Sequence, residues 1–128
     1  MNESKIQTFT DLTSWQEAHK LVVLVYKTTK QFPKDEMFGL VSQMRRAVIS
    51  VTSNISEGFG RQGYKEKIQF YYLAQGSLTE LKNQFFAARD IGYLGSEDFT
   101  ALMKQADTAH RLLQGLITKS KSFLIPKS

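Results

Sequence analysis

The sequence predicts an all-α protein, an up-down-up-down antiparallel four-helix bundle, and three observations support this fold class. Four amphipathic stretches follow one another, and in each the apolar residues recur at alternating three- and four-residue steps. Proline or glycine separates the stretches at Pro33, between Gly58 and Gly63, and between Gly92 and Gly95. The connections are short, which favours antiparallel packing of consecutive helices.

The composition is that of one ordinary globular domain. The chain has 128 residues, of which 41% are hydrophobic and 23% charged, so a sizeable core can form. We expect a flexible leader at residues 1–10, a single bundle domain at 11–121 and a tail at 122–128. The lack of cysteine excludes disulfides and thiolate chemistry and fits a cytoplasmic location. No apolar run approaches the roughly 20 residues that span a bilayer, so no membrane partner is expected.

The first helix is predicted to begin between Asp11 and Ser14, where polar side chains can accept bonds from free N–H groups. It runs to Phe32, and Pro33 stops it. Its core stripe consists of Leu12, Trp15, Ala18, Val22 and Val25. The run Leu21–Val25 could alternatively form a buried strand, but a single strand would have no partner, so a helix is favoured.

The second helix is predicted from just after Pro33 to about Glu57, with Gly58 and Gly60 ending it. It has two stripes on opposite faces, because positions two residues apart are separated by about 200°. The apolar stripe consists of Val41, Met44, Val48, Val51 and Ile55. The polar stripe consists of Gln43, Arg46, Ser50, Asn54 and Glu57.

The third and fourth helices follow the same pattern. The third is predicted from about Tyr64 to Gly92, and the fourth begins near Ser96, which can cap it together with Glu97 and Asp98. The core stripe of the third consists of Tyr71, Ala74, Leu78, Leu81, Phe85 and Ala88. That of the fourth consists of Phe99, Leu102, Ala106, Ala109, Leu113 and Leu116.

The polar stripe of the second helix has two interpretations. It is either a solvated face or a buried or half-buried hydrogen-bonding network, which its weak helix formers favour. In an antiparallel hairpin it meets the third helix, where Gly76 would let the backbones approach and Arg46 would pair with Gln75 or Glu80. The predicted structural network comprises Gln43, Arg46, Ser50, Asn54, Glu57, Gly76, Ser77 and Glu80.

Two helices have more apolar surface than one core can use, which predicts self-association. The excess residues are Leu21, Val23, Leu24 and Tyr26 on the first helix, and Phe70, Tyr72 and Phe86 on the third. The alternative is that neighbouring long side chains cover some of them.

The formal charge of +5 favours a polyanionic partner such as RNA or DNA. The candidate phosphate contacts are Arg45, Arg61, Lys65, Lys67, Lys82 and Arg89. The alternative is a protein-interaction scaffold on which this charge is an ordinary solvated surface.

No pattern indicates catalysis. His19 and His110 lie on different helices and in no metal-binding spacing. The glycines between Gly58 and Gly63 follow a helix rather than a strand, which excludes a dinucleotide-binding turn. The sequence therefore predicts no enzyme activity, no catalytic residue, no metal and no cofactor.

Four short motifs occur in a fixed order along the chain. They are Phe32-Pro33, QMRRA at 43–47, SNISEGFGR at 53–61 and GSLTE at 76–80. Across about residues 9–120 the chain resembles the bacterial proteins encoded within 23S rRNA intervening sequences, also called S23 ribosomal protein-like. Its run Val51-Thr52-Ser53 departs from an Ile-Pro-Ala-like run that is more usual there.

The resemblance implies a homopentamer of four-helix bundles without enzyme activity. A related branch is the accessory protein of diversity-generating retroelements, a basic pentameric bundle that binds nucleic acid and a reverse transcriptase. The resemblance therefore implies three candidate partners: further copies of this chain, RNA or DNA, and a protein such as a reverse transcriptase.

Overall fold

The computed structural model describes residues 5–124, which form four α-helices and two short 3-10 helices. The α-helices are α1 (Thr13–Thr29), α2 (Leu40–Phe59), α3 (Tyr64–Ile91) and α4 (Ser96–Ser122). The 3-10 helices are Phe9–Asp11 and Lys34–Glu36. No strand occurs within residues 5–124, so the helical interpretation of Leu21–Val25 is confirmed and the all-α prediction holds.

The four helices form an up-down-up-down bundle. Each packs against its neighbours in sequence, and α1 also packs against α4. Cross-helix bonds mark the antiparallel register. The hydroxyls of Ser50 and Ser77 lie 2.9 Å apart between α2 and α3, and the amide of Gln105 on α4 donates to the Glu17 carbonyl of α1 at 2.9 Å.

The predicted stripes supply the core with three exceptions, of which the first is Trp15 of α1, which is only partly buried. Every apolar stripe residue of α2 and α3 is buried. On α4, Phe99 and Leu116 are only partly covered, whereas Ile117 is fully buried. Leu21 is also fully buried, so its assignment to the excess apolar surface is wrong. It lies one helical turn from Ala18 and Val25, on the same face.

The chain enters the bundle through an ordered turn. The Asp11 carboxylate accepts the backbone N–H groups of Gln7 and Thr8 at 2.9 and 3.0 Å, which lowers the pKa of Asp11. It therefore stabilises this turn rather than capping α1, which begins at Thr13. Ile6 and Phe9 pack against the core, inside the segment expected to be a flexible leader. Residues 1–4 of that leader and 125–128 of the predicted tail lie outside the described range.

The connection between α1 and α2 is longer than predicted. α1 ends at Thr29 rather than Phe32, and α2 begins at Leu40 rather than just after Pro33. The Glu36 carboxylate accepts the N–H of Leu40 at 3.2 Å and the hydroxyl of Tyr93 at 2.8 Å. These bonds hold the pKa of Glu36 below its ordinary value and fix the start of α2.

Two glycines on α2 and α3 have roles opposite to those predicted. Gly58 lies inside α2 and is buried, so it does not end the helix. A Cβ at this position would lie 2.7 Å from Cε1 of Tyr71 and 3.0 Å from Cβ of Phe70. At Gly76 a Cβ would meet nothing within 4 Å. The close approach of α2 and α3 therefore occurs at Gly58, and its assignment to Gly76 is wrong.

Candidate nucleic-acid interface

The centre of the polar stripe forms a half-buried network between α2 and α3. The Asn54 amide donates to the backbone carbonyl of Ser50 at 2.8 Å and to its hydroxyl at 3.0 Å. That hydroxyl in turn lies 2.9 Å from the hydroxyl of Ser77 on α3. The structure thus brings together three members of the predicted network, and their hydrogen bonds join the two helices.

The remaining members of the predicted network lie on the exposed side of the same helix pair. They are Gln43, Arg46, Glu57, Gly76 and Glu80. The Glu80 carboxylate makes a long bond of 3.5 Å to the amide of Gln84, and no ion pair joins it to Arg46 within residues 5–124. The expected pair is absent because both side chains point outward, where water solvates each charge. The stripe is therefore a small network flanked by a solvated face.

Among the basic candidates, Arg45 joins α2 to α1. Its Nε donates to the hydroxyl of Thr29 at 3.0 Å, and its guanidinium lies 4.6 Å from the ring centroid of Tyr26. The Thr29 hydroxyl itself donates to the Val25 carbonyl at 2.7 Å. Arg45 thereby stabilises the end of α1, far from the turn between α2 and α3.

Lys82 joins α3 to α4. Its ammonium lies 2.8 Å from the Asp107 carboxylate and 2.9 Å from Nδ1 of His110, and its side chain is only 19% exposed. Burial and the neighbouring Lys82 charge lower the pKa of His110, with Asp107 opposing. The neutral imidazole can therefore accept a hydrogen bond from Lys82 at neutral pH. This geometry gives Lys82 a structural role between the helices.

Arg89 lies at the end of α3. Its Nε donates to the neighbouring Asp90 carboxylate at 2.9 Å. Its guanidinium lies 5.0 Å from the ring centroid of Phe86 and 4.6 Å from that of Phe99. Arg89 therefore covers two aromatic rings near the start of α4.

The other three candidates meet at one end of the bundle, which we call the loop end: the α2–α3 turn, the start of α3 and the end of α4. Arg61 lies over the ring of Phe70 at 4.6 Å and forms an exposed ion pair of 3.3 Å with Glu57. Lys65 is exposed and forms no ion pair within residues 5–124.

Lys67 has a different role from its neighbours at the loop end. Its ammonium donates to the carbonyl of Phe59 at 2.6 Å and more weakly to that of Gly58 at 3.5 Å. It also lies 5.3 Å from the ring centroid of Phe59. Burial lowers the pKa of Lys67. These contacts cap the last turn of α2, so the ammonium is largely engaged within the chain.

Sequence reasoning missed two basic residues of the loop end. Lys119 and Lys121 lie at the end of α4, next to the start of α3. The Lys121 ammonium lies 5.1 Å from the ring centroid of Tyr72, and the rings of Tyr64 and Phe123 stack at 4.6 Å. Antiparallel pairing of α3 and α4 places the end of α4 beside the start of α3, and this pairing is the signal that could have identified them.

Within residues 5–124, no cluster of three or more histidine, cysteine or carboxylate side chains could hold a metal ion. His19 stacks on the indole of Trp15 with ring centroids 4.7 Å apart. None of the described helices combines the length and the apolar character needed to cross a membrane.

Comparison with known proteins places this bundle in a family. The sequence model of the 23S rRNA-intervening sequence protein matches residues 10–115. The chain belongs to this family. The predicted resemblance is thus confirmed over most of this chain, including the loop-end residues Arg61, Lys65 and Lys67. The family indicates no catalytic class.

This chain also matches a solved structure. The match is a protein of unknown function from the S23 ribosomal protein family of Bacteroides thetaiotaomicron, with a TM-score of 0.75 and 17% sequence identity. It covers 82% of this chain and 95% of the other, which supports the four-helix fold. No curated protein sequence matches the chain.

Proposed function

We propose that this protein is a non-enzymatic, self-associating bundle that binds RNA or DNA through the loop end without reading base sequence. The observation that supports this most is the grouping at the loop end of three exposed basic residues, of which Arg61 lies over the half-buried ring of Phe70 and Lys121 over the exposed ring of Tyr72, with Lys65 as the third. Cations neutralise phosphates, and aromatic faces stack on unpaired bases of any identity. The combination favours a single-stranded segment.

The charge balance at the loop end supports the same proposal. Among residues 5–124, the carboxylates near this end are Glu57, Glu66 and Asp11, and the last is already bonded to two backbone N–H groups. The Arg61–Glu57 pair is exposed on both sides, at 42% and 60% of the side chains. Such a pair contributes little to stability, so the guanidinium can exchange the carboxylate for a phosphate at little cost.

A triple variant, Arg61→Gln/Lys65→Gln/Lys121→Gln, tests this assignment. Its affinity for a short fluorescently labelled RNA or single-stranded DNA is expected to fall at least about tenfold at low salt. The slope of log K against log salt should decrease by about 2, because each lost phosphate contact to a single strand removes about 0.7. Fluorescence anisotropy measured across a salt series gives both quantities.

The matched control is Lys30→Gln/Lys34→Gln/Lys104→Gln, which removes the same charge from exposed positions away from the loop end. It should retain most of the affinity. An equal loss in both triple variants would show that net charge alone governs binding. A wild-type affinity that does not change with salt would rule out phosphate contacts.

The self-association in this proposal is supported by an exposed apolar groove at the opposite end. Phe38 is 96% exposed, and it lines a groove of about 430 Å³ together with Tyr26, Met37, Val41 and Ile49. A fully exposed phenylalanine beside other apolar side chains is typical of an interface. We propose that further copies of this chain cover it, in the homopentamer that the family resemblance implies.

Phe38→Asp is therefore expected to reduce the mass in light scattering to that of a single chain, 14.6 kDa. The free energy of unfolding of each chain should change little, because Phe38 buries almost no surface within its own chain. The control is Ile91→Asp, which introduces the same charge at an exposed residue at the end of α3. A well-folded single copy of the wild type at micromolar concentration would contradict self-association.

The same groove also favours a second candidate function, that of a scaffold for another protein such as a reverse transcriptase. In that case Phe38→Asp would abolish co-purification of the purified partner, and nuclease treatment would have no effect. The loop-end triple variant would retain the partner. The two functions thus depend on opposite ends of the bundle and are separable by these variants.

A further inference from the structure

A cavity of about 290 Å³ opens at the loop end, between the N-terminal segment, the end of α2, the start of α3 and the end of α4. Its apolar lining comes from Leu12 before α1, Phe59 of α2, Tyr64 of α3, and Leu116 and Phe123 at the end of α4. A concave, mostly apolar site with a few polar groups is the usual form of a small-molecule pocket. The polar groups on its wall therefore indicate which ligand would fit.

Two hydroxyl groups on this wall have no hydrogen-bond partner within residues 5–124. Tyr71 and Ser120 both line the cavity, at 2% and 4% exposure, and neither hydroxyl makes a hydrogen bond within the described chain. Burial, with a smaller contribution from Tyr64, raises the pKa of Tyr71 to about 12, so its hydroxyl can donate at neutral pH.

A third donor on the wall is the ammonium of Lys67. It has three N–H groups, and the structure gives it two acceptors, the carbonyls of Phe59 and Gly58. Among the described residues that line the cavity, none is a carboxylate. The polar side of the cavity is thus rich in hydrogen-bond donors and positive charge, which is complementary to an anionic acceptor.

We propose that this cavity binds a small apolar carboxylic acid. The carboxylate accepts hydrogen bonds from Tyr71, Ser120 and Lys67, and the apolar body lies against Phe59 and Leu116. A cavity of about 150 Å³ accepts benzene. One of about 290 Å³ therefore has room for a ring with a short side chain. This site is separate from the proposed phosphate contacts of Arg61, Lys65 and Lys121.

The probe is 3-phenylpropionate, compared with its neutral isostere 3-phenylpropionamide. Titration calorimetry should show binding of the acid, and the acid should raise the melting temperature. The amide should bind at least about tenfold more weakly, because it lacks the charge that strengthens hydrogen bonds to donors. A double variant, Tyr71→Phe/Ser120→Ala, should lose at least about tenfold in affinity for the acid.

The double variant should fold normally, since neither hydroxyl has a partner within residues 5–124, and melting without ligand checks this. The matched control is Tyr72→Phe, which removes an exposed hydroxyl from the same helix and should leave binding unchanged. No binding of the acid at about 10 mM would overturn the proposal and leave a cavity that holds only water. Equal binding of the amide, or of the double variant, would overturn the assignment of the carboxylate site. The probe contains no phosphate, so these outcomes do not depend on nucleic-acid binding.

Discussion

Gly58→Val is expected to lower the free energy of unfolding by about 3 kcal/mol, because it overpacks the contact between α2 and α3. Even a Cβ at this position would lie 2.7 and 2.9 Å from two ring carbons of Tyr71. That ring is buried in the core and cannot move aside freely. The two helices would have to separate, which exposes apolar surface along the hairpin. Chemical denaturation followed by circular dichroism measures the change.

Gly115→Val is the control for this prediction. Gly115 is exposed within α4, and a Cβ there would meet nothing within 4 Å. Valine has a better helix propensity than glycine, so stability should rise by a few tenths of a kcal/mol. Similar losses at both glycines would mean that valine's helix propensity, not the contact with Tyr71, determines the effect at Gly58.

Lys67→Met is expected to lower the free energy of unfolding by about 1.5–3 kcal/mol, the usual contribution of a hydrogen bond from a charged group. Methionine keeps most of the apolar stem but leaves the carbonyls of Phe59 and Gly58 at the end of α2 without this donor. Thermal and denaturant unfolding of the purified variant give the magnitude.

Lys65→Met serves as the comparison. Lys65 lies two residues before Lys67 and is exposed, so this variant removes the same charge from a solvated side chain. Its stability should stay within about 0.5 kcal/mol of the wild type. If Lys67→Met unfolded like the wild type but lost nucleic-acid affinity, Lys67 would be a phosphate contact and its capping role would be wrong.

The helices and the core could be predicted from the sequence because burial imposes a regular period on the chain. The stripes of α2 and α3 coincide with the buried faces because residues three or four positions apart lie on the same side of a helix, and that side packs against the neighbouring helices. The ends of helices are less predictable. The start of α2 is fixed by Glu36, which lies in a separate turn and accepts the N–H of Leu40. The hydroxyl of Tyr93, which is distant in sequence, donates to the same carboxylate. Gly58 lies inside α2, where the close approach of Tyr71 leaves no space for a side chain, so this glycine does not mark the end of the helix.

The candidate site was predicted by residue type, but the partners of each residue depend on tertiary packing. The antiparallel register suffices to bring Ser50 and Ser77 together, so that part of the network was predictable. Nothing in the local sequence distinguishes Lys67, which caps a helix, from the exposed Lys65. Lys121 lies at the same end of the bundle because α4 runs antiparallel to α3, which brings it to the ring of Tyr72.

The single tryptophan of this chain makes the N-terminal segment separately observable. The ring of Phe9 lies edge-on to the indole of Trp15, with ring centroids 5.5 Å apart. The imidazole of His19 stacks on the same indole at 4.7 Å. Its fluorescence emission therefore reports whether the N-terminal segment that contains Phe9 packs against the bundle, whereas circular dichroism reports the helix content. Comparing the two signals during unfolding would show whether this segment detaches before the bundle melts.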